Sequence, residues 1–215
     1  MSTVAEPLTN SAAPVTVAAA PPPYAAGDPA ILGLPIFVAG SIALAFALTG
    51  YVSPASVGTP VAIIMAATGI GLLVSTLWAI ALGQTMVAAI FGLFAGFWLS
   101  YGMLVLGLVH GWYGIPLRDV THTIADFQIT WAIVMAALTI ATLRLPSAFT
   151  AVIALVVLAL VLLAIGTLHP SADLTKAAGW VCFAFAGLGI YLFLNVASVA
   201  TGGRGYPLGR PIIGS

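Results

Sequence analysis

The chain has 215 residues, of which 62% are hydrophobic and 5% charged, with five Lys or Arg balancing five Asp or Glu. A soluble domain carries roughly a quarter of its residues as charges, so a water-exposed globule is excluded and lipid is the solvent this composition fits. Zero net charge with scattered basic residues also excludes a nucleic-acid surface, which needs clustered Lys and Arg.

In chain order, residues 1–27 are rich in Ala, Pro, Ser and Thr and run into Pro21-Pro22-Pro23. That composition cannot bury enough apolar surface to offset chain entropy, and it is read as a disordered N-terminal tail. No Lys or Arg precedes Arg118, so the basic region of a secretory signal and the arginines of an organelle transit peptide are both missing.

Six apolar runs come next: Ile31 to Gly50, Pro60 to Leu82, Met86 to Val109, Ala125 to Leu143, Ala148 to Leu168 and Ala177 to Ala200. Each is long enough to cross a bilayer at ~20 residues per helix. Breaker clusters separate them: Ser53-Pro54, Gly83-Gln84-Thr85, the stretch from Gly111 to Thr123, Leu145-Pro146-Ser147 and His169-Pro170-Ser171. The runs are twice the length of a spanning strand and show no apolar/polar alternation, which excludes a barrel. The expected fold is therefore an all-α membrane protein, six transmembrane helices in one bundle over residues 28–200, with a C-terminal tail at 201–215. An even number of spans puts both tails on one side, with Arg144, Arg204 and Arg210 against Arg118 and Lys176 opposite. That excess favours cytoplasmic termini.

Ionisable residues avoid the middle of the spans. Asp126 begins the fourth, Asp173 and Lys176 precede the sixth, and Arg144 ends the fourth, all within reach of water. A carrier coupled through a buried carboxylate would place that group at mid-depth. Whatever crosses must be small and neutral at the narrow point, or must be handled by backbone dipoles, hydroxyls and amides. His110, His122 and His169 lie in or beside loops without ligand spacing, so no metal site is read from them. No G-x-S-x-G, H-E-x-x-H, P-loop or dinucleotide fingerprint occurs in its proper context, which gives no cofactor and no enzyme.

On the third helix, Phe91, Phe94, Trp98 and Tyr101 share a stripe, while Ala88, Gly92, Ala95 and Gly96 fall on the other side. The stripe is either pore lining, or core and lipid-facing filler. Gly92 and Gly96 make a small-xxx-small pattern that permits close helix approach, to which Gly69, Gly71 and Gly187 add further candidates. Thr68, Ser75, Thr76, Gln128, Thr130 and Asn195 are the polar side chains in or near the spans. Singly they are expected to bond to backbone or neighbouring helices; together, with Thr68, Thr130 and Asn195 at different depths, they make a candidate polar path. Cys182 is expected to be a small buried apolar residue.

Several blocks resemble the acetate uptake transporters, a family that includes bacterial acetate/succinate permeases and yeast relatives. That family's opening motif N-P-A-P-L-G-L is similar to Asp28-Pro29-Ala30-Ile31-Leu32-Gly33-Leu34. Gly83-Gln84-Thr85 followed by Phe94-Ala95-Gly96-Phe97-Trp98-Leu99-Ser100 resembles its G-N-T turn and aromatic third helix. Leu162 to Gly166, Ala178-Gly179-Trp180 and Ile190-Tyr191-Leu192 resemble its last two helices, and Pro207-Leu208-Gly209 its C-terminal motif. The resemblance implies a plasma (inner) membrane homo-oligomer, a hexamer, each protomer with its own pathway for acetate and related small monocarboxylates. It implies an apolar constriction at Phe37, Phe94 and Val156, with the opening motif and polar turns in the vestibules. Asp28 and Ile31 replace the motif's Asn and second Pro. Leu72, Ala79 and Val196 stand where many relatives carry acidic or amide groups, which implies a drier interior and disfavours a doubly charged solute such as succinate. Two other readings fit the same residues: a channel for another small neutral solute such as ammonia, urea or a gas, and a non-transporting scaffold or sensor.

Overall fold

The structure, a computed structural model, describes residues 26–53, 56 and 58–214. The expected disordered tail lies outside these residues, except for Ala26 and Gly27. Among the described residues, six helices are long and apolar enough to cross a membrane. They are α1 (Ala30–Leu48), α2 (Pro60–Ala81), α3 (Thr85–Val109), α4 (Val120–Ala141), α5 (Ser147–Leu168) and α6 (Ala172–Ala200). The chain is an integral, multi-pass, all-α membrane protein.

The helices end where the backbone chemistry changes. After α2 the N–H groups of Gly83 and Gln84 donate to the carbonyls of Ile80 and Ala79, closing the helix with the left-handed cap that Gly83 adopts at φ +68°. The three-residue connection that results makes α2 and α3 a tight antiparallel hairpin. Two helices begin earlier than their apolar runs. α4 starts at Val120 and α6 at Ala172, each about a turn and a half before the hydrophobic stretch. His122, Asp173 and Lys176 thus sit on exposed helical turns rather than in loops, and Asp126 lies exposed within α4. Ser171 caps α6, its Oγ accepting the N–H of Leu174 at 3.3 Å.

α1 packs mainly on α6, α6 on α5, α5 on α4, and α2 on α3 and α1. The closing contact between α3 and α4 is sparse. Five helices therefore surround an interior space, with α2 braced outside against α1 and α3. The brace is built on glycines. A Cβ on Gly40 would meet the Thr68 side chain, one on Gly71 the Ile36 side chain, one on Gly69 Leu99, and one on Gly102 Met65. Of the candidate small residues, Gly92 lies against Thr76, whereas Gly187 faces open space and its neighbour Gly189 makes the contact, to Val38. Periodicity alone misassigns that pair because α6 turns only one of two glycines two residues apart inward.

In its first half, α2 takes π-helical winding over Ile63–Gly69 before continuing as α-helix. One wide turn shifts the phase of the remaining turns of the helix, and it carries Thr68, whose Oγ1 donates to the Ile36 carbonyl of α1 at 3.1 Å. α1 carries Pro35 one residue earlier, where a backbone donor is missing.

Beyond α6 the chain returns as an extended strap. Tyr206 N–H donates to Asn195 Oδ1 at 2.6 Å, Tyr191 Oη to the Pro207 carbonyl, and Ala148 N–H, at the start of α5, to the Leu208 carbonyl. The N–H groups of Ile212 and Ile213 both donate to the Leu143 carbonyl. The strap thus satisfies end groups that the helices leave open.

Replacing Gly40 with Val forces a branched side chain into Thr68 and lowers the stability of the detergent-solubilised protein by about 1–3 kcal/mol, the usual cost of overpacking. Gly187→Val, on the open side, changes it by less than about 0.5 kcal/mol. Thermal unfolding of the two variants side by side checks the assignment.

Candidate functional site

Helix rise decides depth. At ~1.5 Å per residue, Phe37 on α1, Phe94 on α3 and Val156 on α5 all lie roughly 10–14 Å inside the face that bears Asp28. They are buried. The Phe37 and Phe94 rings meet edge to face, centroids 4.8 Å apart at 63°, and Phe37 also touches the Phe185 ring of α6 at 5.8 Å. Such pairs are worth about 0.5–1.5 kcal/mol beyond their area, enough to hold two rings in register without a covalent tie.

A cavity lies on each side of this contact. The larger, about 150 Å³, is bounded by Phe37, Phe94, Phe97, Trp98, Val156 and Phe185 at its inner end. It continues past Tyr101, Phe127 and Gln128 to Leu48, Leu108 and Ile124, which stand near the helix ends of the opposite face, where His110 lies. The smaller, about 30 Å³, is lined by Leu34, Phe37, Phe91, Phe94, Phe149 and Leu192 and points toward the Asp28 face. It is no larger than one or two water molecules. Since Phe37 and Phe94 line both, their rings form the partition.

The lining is apolar except at a few atoms. Every Asp, Glu, Lys and Arg among the described residues is exposed or half-buried, and no group of three or more metal-binding side chains occurs among them. The hydroxyls of the spans are committed elsewhere. Ser41 donates to Phe37 O at 2.7 Å, Ser75 to Gly71 O, Thr76 to Leu72 O and Thr68 across to α1. Thr130 is exposed on α4, and Asn195 holds the strap, so the two sit on different sides of the bundle from Thr68. Two buried polar atoms among the described residues have no partner: Trp98 Nε1 and Gln128 Oε1, both on residues of the larger cavity.

The opening motif caps α1. Asp28 Oδ1 accepts the Ala30 N–H at 2.9 Å, Pro29 is buried, and Leu34 reaches the smaller cavity. A Cβ on Gly33 would collide with the Phe91 ring, so this glycine lets α1 approach the aromatic helix. Ala30 and Leu32 are half-buried at the rim. Asp28 and Asn195 share a shallow pocket at the same face with Val196 and Val199.

Phe97 and Phe185 also belong to the cavity wall, although nothing in the sequence singles them out. In a helix apolar all round, an inward Phe and a lipid-facing Phe read alike. Phe97 is the hub of the α3 to α4 contact, with Trp98, Tyr101, Phe127 and Trp131 all within 6.2 Å between ring centroids. Phe91, Phe94 and Trp98 of the aromatic stripe are buried and Tyr101 is half-buried, and all four line one of the two cavities, so the stripe faces the interior.

Comparison with known proteins bears on this geometry. The sequence profile of the GPR1/FUN34/yaaH family matches residues 10–208. Accumulation of dyads protein 2 of Saccharomyces cerevisiae (strain ATCC 204508 / S288c) is 28% identical over 149 residues, 66% of this chain and 50% of that protein. The chain spans about half the length of that curated relative. The structure of the bacterial acetate channel SatP is similar with a TM-score of 0.75 at 23% identity, covering 86% of this chain and 99% of that one. At that identity the likeness is one of fold.

Phe94→Ala removes half of the partition. In oriented vesicles, a charged thiol reagent applied at the Asp28 face labels Cys182, which is buried on the wall of the larger cavity, slowly in the natural sequence and many-fold faster in the variant. Equal rates would mean that the rings do not separate the two spaces. Asn195→Ala, in contrast, removes the exposed hydrogen bond that holds the Tyr206 N–H and lowers thermal stability by about 0.5–1 kcal/mol without changing the labelling rate.

Proposed function

The chain belongs to the GPR1/FUN34/yaaH family, and from that premise we propose that it is a non-enzymatic membrane channel or transporter for acetate and related small monocarboxylates. The observation that carries the reading is the pair of cavities abutting at Phe37 and Phe94. An apolar constriction of this kind gates by dewetting. It admits a small solute that sheds part of its hydration and stops ions that cannot. Phe37, Phe94 and Val156 are the constriction, the Asp28 to Leu34 motif frames one vestibule, and the wide end near Leu108 and Ile124 forms the other.

The carboxylate must cross a region with no fixed positive charge. A short carboxylic acid titrates near 4 to 4.5, leaving a few molecules per thousand neutral at pH 7, so either proton uptake or partial hydration carries it past the rings. By family resemblance each protomer keeps its own path within a homo-hexamer in the plasma (inner) membrane. The arginines at 144, 204 and 210 favour the Asp28 face as the cytoplasmic one. The uncharged lining also favours a second reading, a channel for a small neutral solute such as urea or ammonia. It shares the path and differs in selectivity.

Flux of labelled acetate into proteoliposomes tests the proposal. The natural protein is expected to exceed bare lipid at pH 5 and pH 7, and Phe94→Ala to pass acetate several-fold faster and to admit longer acids. Absence of protein-dependent acetate flux at both pH values would overturn it, and flux of urea or ammonia alone would establish the second reading.

A further inference from the structure

The helices around the larger cavity do not close it equally tightly on all sides. α1 packs broadly on α6, α6 on α5 and α5 on α4, and the narrow contact between α1 and α3 is covered from outside by α2. The equally sparse α3–α4 side has no helix behind it among the described residues. The hydroxyls of Ser100 on α3 and of Thr123 and Thr139 on α4 turn back along the chain, each donating to a carbonyl four residues earlier. What joins the two helices is a set of rings, Phe97 and Tyr101 against Phe127 and Trp131, with centroids 5.5 to 5.8 Å apart. The rings form two layers. Phe97, Tyr101 and Phe127 line the cavity, whereas Trp131 belongs to neither cavity wall and is half-buried. It stands on the outer side against Gly96, where a Cβ would come within 3.4 Å of the indole. At ~1.5 Å per residue the four rings lie roughly 10–18 Å in from the helix ends at the His110 face, inside a hydrocarbon layer about 30 Å thick. Helices in lipid are held together by side-chain packing and hydrogen bonds rather than by a hydrophobic force. A seam made of rings alone therefore opens by ring rotation, with no hydrogen bond broken.

We propose that this seam is a lateral entrance through which small, uncharged, apolar molecules dissolved in the bilayer reach the larger cavity and lodge there. The cavity suits that class. Its wall bears no Asp, Glu, Lys, Arg or His, and the unpartnered atoms Trp98 Nε1 and Gln128 Oε1 are buried rather than offered to an occupant. An apolar cavity of about 150 Å³ takes up benzene, and this one has that volume. A charged molecule is refused by the same route, because it would first have to shed its hydration in hydrocarbon. An occupant rests among Phe97, Val156 and Phe185, next to the partition of Phe37 and Phe94. It thereby obstructs whatever passes along the axis of the bundle.

Cys182, on the cavity wall and the single cysteine of the chain, reports arrival. In vesicles, its labelling by methyl methanethiosulfonate, small and uncharged, is compared with labelling by the trimethylammonium-ethyl analogue, which stays in water and enters by the wide end near Leu108 and Ile124. Two substitutions act on the outer layer of the seam without touching the cavity wall. Trp131→Ala opens it and is expected to speed the neutral reagent several-fold. Gly96→Val fills the space against the indole and slows that reagent several-fold, while the charged reagent labels all three proteins at one rate. Benzene dissolved in the vesicles slows both reagents several-fold, since it fills the space they share. Equal labelling of the three proteins by the neutral reagent overturns the entrance. So does a charged reagent that follows the same changes, because the substitutions would then be acting on the axial mouth. Benzene that leaves both rates unchanged overturns the binding site. No solute flux enters these measurements, so the acetate reading stands or falls separately.

Discussion

Between helices packed against each other and against hydrocarbon, a polar group must find its partner in the protein. Nearly every local feature obeys that demand. Serine and threonine hydroxyls fold back onto carbonyls one turn earlier, as Ser41, Ser75 and Thr139 do, or reach a neighbouring segment, as Thr68 reaches Ile36 and Thr150 reaches Thr142. Charges are held at the helix ends, where they stay wet. Amid so much pairing, Trp98 Nε1 and Gln128 Oε1 are the two buried side-chain atoms among the described residues that have no partner.

The span plan is legible in the sequence because each run of about twenty apolar residues admits one structure in lipid. Its edges are less so. His122, Asp173 and Lys176 have the polarity of a loop, yet a helix protruding past the hydrocarbon tolerates them on its exposed side, and α4 and α6 begin upstream of their greasy stretches. The wide turn over Ile63–Gly69 leaves no trace in the pattern. Ile, Met and Ala wind either way, and the choice is made by Thr68 and Gly69 docking on α1 and α3.

Of the site, the chemistry of single residues can be read from the sequence but their company cannot. Phe37 and Phe94 are reached through a motif resemblance, and the structure sets their rings in contact between two cavities. Phe97 and Phe185 carry no distinguishing mark, since all faces of α3 and α6 are apolar. Asn195 announces that an amide needs a partner, but that partner is the backbone of Tyr206, delivered by a segment that composition describes only as a tail. Gln128 is one of six polar side chains in or near the spans, and not one of the three, Thr68, Thr130 and Asn195, that the sequence offers as a polar path. What separates it is a buried oxygen without a hydrogen bond, a property of the assembled bundle.

The strap has a practical side. Its last hydrogen bonds are made not to α6, from which it departs, but to Leu143 at the exit of α4, after passing over the first residues of α5. Any reporter or affinity handle joined beyond Gly214 accordingly hangs from the α4–α5 corner, and mechanical load on it is felt by the helices that carry Gln128 and Val156 before it is felt by the helix that precedes it in the chain.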